Sequence, residues 1–118
     1  MGGYVQTLVR PISGVGFMIV TVIQVLIHDG KKKNYDELFH NTIVPLVQKQ
    51  PRLVSITASV PRSEGSNEYC IVAVWQDFEA ITSFFGENCH KHCIHPDEAE
   101  LVSERSVRHY DLAYRLTT

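Results

Sequence analysis

With 118 residues, 44% of them hydrophobic and 20% charged, the chain has the composition of one compact domain with a small core, which argues against disorder. A formal net charge of −2 supplies no basic field to gather nucleic acid or an anionic membrane, so neither is expected as a partner. Three cysteines make an odd count without a paired framework, which points to a reducing, cytoplasmic compartment.

Residues 1–16 carry glycines and Pro11 without any sustained period and read as an arm, with residues 17–118 as the domain. The apolar run that follows Arg10 loosely resembles a signal peptide. However, Thr21 and Gln24 interrupt it, no small-residue cleavage site follows, and it is too short to span a bilayer as a helix. Its β-branched content predicts a strand over residues 17–27, apolar on both faces and therefore central and covered on both sides. His28, Asp29 and Gly30 form a turn, and the three lysines at 31–33 read as a solvated loop. Asn34 and Glu37 have capping-box spacing. Leu38, Phe39, Ile43, Leu46 and Val47 then make a helical apolar stripe, kinked at Pro45 and closed by Pro51.

A second strand is expected over residues 53–60, with Val54, Ile56, Ala58 and Val60 on one face and Leu53, Ser55, Thr57 and Ser59 on the other. A polar hairpin loop over 61–67 leads to a third strand, in which Tyr69, Ile71, Ala73 and Trp75 alternate with Cys70, Val72 and Val74. Asp77 stands at the cap position of a second helix carrying Phe78, Ile81, Phe84 and Phe85, and Gly86 stands where a left-handed residue would end it. Residues 87–100 are rich in His and Cys and broken by Pro96, with one helical turn expected over 97–101. The last strand covers 105–116, with Tyr110, Leu112 and Tyr114 opposite Val107, His109 and Asp111.

The order β-α-β-β-α-β is the ferredoxin-like α+β arrangement, a four-stranded antiparallel sheet with two helices on one face. The other face is expected to carry Trp75, Tyr69 and Leu53 together with Ser55, Thr57 and Ser59. That is too much apolar area to leave wet, so a homodimer is expected. A mixed apolar and hydroxyl lining also describes a ligand pocket.

Val72, Val74 and Trp75, followed by a short polar cap and by Glu79, Ala80 and Ile81, are similar to the antibiotic biosynthesis monooxygenase-like domains of the dimeric α/β-barrel superfamily. Phe85, Gly86, Glu87 and Asn88, then Ile94, Pro96 and the terminal His109, Tyr110 and Asp111, extend the likeness over residues 17–114. The resemblance implies an oxygenase that needs no metal, flavin or other cofactor and acts on an electron-rich aromatic or quinol-type substrate held inside each barrel. Trp75 matches the family's strand tryptophan. The asparagine that some family oxygenases carry on that strand has no counterpart among Tyr69, Cys70, Ile71 and Val72. The haem-degrading relatives use an Asn, a second Trp and a His, where this chain offers Gln24, Phe84 and His90.

The expected substrate-binding residues are thus Trp75, Tyr69, Ile71, Ser55 and Thr57. Trp75 would stack on the ligand, and His109 would be the base that assists proton removal. Two further readings use the same chain: a non-catalytic small-ligand or stress-response module, and a metal-binding protein using Cys89, His90, His92, Cys93 and His95. Five potential ligands in so short a segment could hold zinc or copper, but no second Cys/His pair stands at the spacing of a closed site, so no metal is assigned.

Overall fold

The computed structural model describes residues 5–7, 18–85 and 96–117. Strands β2 (Ile19–Ile27), β3 (Leu53–Ser59), β4 (Glu68–Trp75) and β5 (Val102–Asp111) form one antiparallel sheet in the order β3-β4-β2-β5. Two short strands, β1 (Val5–Thr7) and β6 (Arg115–Thr117), pair with each other as a separate two-stranded antiparallel ribbon. The expected single last strand is broken at residues 112–114 and resumes in that ribbon.

Between β2 and β3 runs a helical rod made of α1 (Lys32–Leu38), a π-turn (Phe39–Ile43) and α2 (Val44–Gln48). The expected disturbance at Pro45 takes this form. A proline within a helix offers no N–H, and its ring crowds the carbonyl four residues back. The preceding turn is therefore widened, and the Val44 N–H donates to the Phe39 carbonyl, five residues back. The rod begins earlier than its capping-box signature suggests. The Lys31 N–H donates to the His28 carbonyl across a turn in which Gly30 has φ 78°. The Tyr35 N–H then donates to the Lys31 carbonyl, so Asn34 lies inside the helix and caps nothing. The lysine run is consequently not a free loop, and Lys32 Nζ donates to the Ser66 carbonyl at 2.8 Å.

Helix α3 (Phe78–Phe85) follows β4 after two residues. Its cap is the one expected: Asp77 Oδ1 accepts the Ala80 N–H at 2.9 Å, and Asp77 Oδ2 accepts from Arg52 Nη1 at 3.0 Å. A 3-10 turn (Pro96–Glu100) leads into β5. Gly86 and the 89–95 segment lie outside the described residues.

The core fills the space between the helices and one face of the sheet, and burial along β4 alternates strictly, with Tyr69, Ile71, Ala73 and Trp75 inward. This reverses the expectation that Trp75 and Tyr69 sit on the bare face. Both alternating sets of β4 are apolar, and the set carrying the large aromatics takes the helix side. Leu53 joins them because the register shifts between Leu53 and Ser55. Leu53 pairs with Trp75 and Ile56 with Ala73, while Ser55 pairs with Val74. Strand β2 is central, as expected, but only one of its faces is covered. The other carries Val20 and Val22, both half-buried, beside Val72 and Val74 of β4.

Candidate functional site

The six residues expected to form one site fall into separate places. Ser55 and Thr57 point to the open face, away from the helices, where the Thr57 hydroxyl is 3.5 Å from the Val72 carbonyl. Tyr69, Ile71, Trp75 and His109 share the helix-covered face. Tyr69 is nevertheless six residues from Trp75 along β4, about 20 Å at the rise of an extended strand. It packs edge-on to Tyr35, with ring centroids 4.9 Å apart, and belongs to the other end of the core. Ile71 is fully buried at the middle of the sheet and forms core rather than pocket wall.

Trp75 and His109 share a neighbour. They stand on the two strands that flank β2, and Phe85 of α3 touches both rings, with centroids 6.2 Å from Trp75 and 6.5 Å from His109. Phe84 packs on Trp75 at 5.7 Å, and Phe78 meets His109 edge-on at 5.9 Å. The register that parity alone could not fix is settled by the pairing of Thr21 with His109 across β2 and β5. His109 is half-buried, and its Nδ1 lies 2.9 Å from the Thr21 Oγ1, a hydroxyl with no solvent exposure.

Trp75 is 1% exposed and offers no open ring face for stacking. Its Nε1–H has no hydrogen-bond partner among the described residues, an unusual state for a buried indole. A notch of about 60 Å³ adjoins it, lined by Gln50, Arg52, Trp75, Ala80 and Ser83.

The roomier clefts, about 210 Å³ each, lie at the far end of β2 and β5. One is lined by Gln24, Leu26, Glu68, Glu104, Arg105 and Ser106 and so carries two carboxylates and a guanidinium. Among the described residues there is no group of three or more His, Cys, Asp or Glu placed to hold a metal ion.

Sequence reasoning missed Thr21, which reads as an ordinary strand former inside an apolar run. It also missed a buried cluster at the opposite end. There Glu98 of the 3-10 turn is fully buried, accepts from the Tyr35 hydroxyl at 3.1 Å and lies 3.0 Å from Arg105 Nη2. The guanidinium contact is close but poorly aligned, so Nη1 and Nη2 complete no hydrogen bond among the described residues.

No family model matches the sequence, and no curated protein matches it. Solved structures do match. The protein SO0527 from Shewanella oneidensis is 17% identical with a TM-score of 0.67, covering 98% of this chain and 100% of that one. A candidate antibiotic biosynthesis monooxygenase from Caulobacter crescentus CB15 is 12% identical with a TM-score of 0.69, covering 84% of this chain and 92% of that one. A point mutant of SnoaB from Streptomyces nogalater, described as a cofactor-independent oxygenase, is 18% identical with a TM-score of 0.64, covering 82% of this chain and 94% of that one. The fold is therefore the ferredoxin-like α+β fold of the antibiotic biosynthesis monooxygenase-like domains. Among the described residues no helix is long and apolar enough to cross a membrane.

Proposed function

We propose that this chain is a cytoplasmic, monooxygenase-like protein that binds a small aromatic or quinol-type molecule at the Trp75–His109 end of the sheet and needs no cofactor. One observation carries the reading. A polar pair, Thr21 and His109, is set into a wall of aromatic rings from Trp75, Phe78 and Phe85, in the fold of a protein described as a cofactor-independent oxygenase. An apolar wall with one polar group suits a planar ligand bearing an oxygen, and the imidazole is the group able to meet that oxygen. Trp75 forms the back of the site and offers its Nε1–H instead of a ring face.

The open face of the sheet supports a homodimer. Val20, Val22, Val72 and Val74 form an apolar patch, with Arg108 opposite Val22 on β5 and with Leu26 36% and Tyr110 44% exposed beside them. Light scattering at micromolar concentration is expected to give twice the mass of one chain, and Val22→Glu to give the mass of one. A wild-type monomer would remove the dimer from this reading.

Oxygen uptake with dithranol, an electron-rich dihydroxyanthrone, tests the activity. The wild type is expected to consume oxygen without added metal or flavin, and His109→Ala is expected to lose turnover while still binding. Binding without oxygen uptake would favour the non-catalytic module of the same fold.

A further inference from the structure

The geometry points to Thr21 as the residue that sets what His109 does. The Thr21 hydroxyl donates to Nδ1, so the neutral imidazole holds its proton on Nε2 and meets a ligand oxygen as a donor, not as a base. The role assigned to the ligand rests on the reading above, but the tautomer rests on the protein alone.

Thr21 has no solvent exposure and stands directly opposite His109 in the β2–β5 register. Among the described residues, His109 Nδ1 at 2.9 Å is the only hydrogen-bond partner that the structure gives the Thr21 hydroxyl. A hydroxyl hydrogen sealed from water must find an acceptor or remain an orphan donor, which costs free energy. Nδ1 can accept only through its lone pair, so in the neutral ring it carries no proton. The proton then sits on Nε2. With the opposite tautomer, Nδ1–H would donate to Oγ1 and the hydroxyl hydrogen would be buried without an acceptor. The ring plane is held by Phe78, edge-on at an interplanar angle of 88°, and by Phe85.

The chemical consequence reverses the expected role. When the substrate ionises, its proton passes to solvent water, and an Nε2–H hydrogen-bonded to the phenolic or enolic oxygen stabilises the negative charge left there. No proton changes hands at His109. Thr21 is thus a positioning residue, which acts through the imidazole.

The experiment is long-range ¹H–¹⁵N correlation NMR on the ligand-free full chain with ¹⁵N-labelled histidine, at alkaline pH where the imidazole is neutral. In the wild type, Nε2 is expected at a protonated, pyrrole-type shift and Nδ1 at an unprotonated, pyridine-type shift. Thr21→Val, of similar shape but without the hydroxyl, is expected to move both shifts towards a tautomer mixture, and Thr21→Ser to restore them. A wild-type Nδ1–H tautomer, or a folded Thr21→Val with unchanged shifts, overturns the inference. If Thr21→Val does not fold, the wild-type and Thr21→Ser spectra still decide. Dithranol is added last. An Nε2–H tautomer without dithranol binding would defeat the ligand reading and leave the tautomer assignment standing.

Discussion

At one end of the helix-covered face the buried Glu98 and Tyr35 meet the half-buried Arg105; at the other, the buried Thr21 meets the half-buried His109 among aromatic rings. Both ends take polar groups out of water, at a cost that partners must offset. At the first end, the partners are charges of opposite sign that neutralise one another and tie the 3-10 turn to β5 and α1. At the second, a hydroxyl meets an imidazole, the Trp75 Nε1–H is unmatched among the described residues, and Phe78, which packs on His109, is 44% exposed. The contrast separates a fastening from the proposed site. Both ends keep donors that complete no hydrogen bond among the described residues, but at the first they belong to a guanidinium whose charge Glu98 offsets, and at the second to an uncharged indole.

The largest effect that would break this comparison is expected at the fastening. Glu98→Ala leaves the Arg105 guanidinium, whose side chain is 11% exposed, without its counter-charge. Removing one partner of a buried pair typically costs about 3–5 kcal/mol. Urea unfolding measures this, and a loss below about 1 kcal/mol would mean that the cluster fastens nothing. Trp75→Phe comes next. It deletes part of a buried ring and an N–H that has no partner among the described residues, so the cost is that of a small cavity, on the order of 1–2 kcal/mol. Dithranol binding is expected to weaken as well, because the unmatched donor is gone. Unchanged binding would make Trp75 a core residue only. Asp77→Ala removes both the α3 cap and the Arg52 contact, and about 1 kcal/mol is expected in thermal or urea unfolding, as for other cap removals. An effect near zero would show that α3 is held by Phe85 and Ile81 alone.

Much of the fold was legible because its signals are local. The alternation of residues 68–75, the Asp77 cap and the helical spacing after it each follow from neighbours in sequence, and the structure has each of them. The partition of residues between faces was not legible, for a physical reason. Parity says which residues of a strand go together, but not which set meets the helices, and in β4 both sets are apolar. In β3 the shift between Leu53 and Ser55 separates Leu53 from the hydroxyl residues with which simple alternation groups it. For the site, Trp75 and His109 were legible as residues, but their company was not. Thr21 and His109 are 88 residues apart, and only the β2–β5 register joins them. Glu98 gave no signal either, since an acidic residue in a short polar turn is ordinarily solvated.

The smallest expected effect tests the face itself. Ser55 and Thr57 lie on the open side of β3, an edge strand, and the Thr57 hydroxyl reaches only the Val72 carbonyl, at the 3.5 Å limit of a hydrogen bond. Exposed hydroxyls with so little contact can be replaced with changes within about 0.5 kcal/mol. The double variant Ser55→Ala with Thr57→Ala is therefore expected to unfold like the wild type. It is also expected to bind dithranol unchanged, because the sheet stands between these hydroxyls and His109. A clear loss of binding would place the ligand on the open face, where both hydroxyls and the valine patch are. The Trp75–His109 end would then be core, and the contrast between its two ends would describe packing alone.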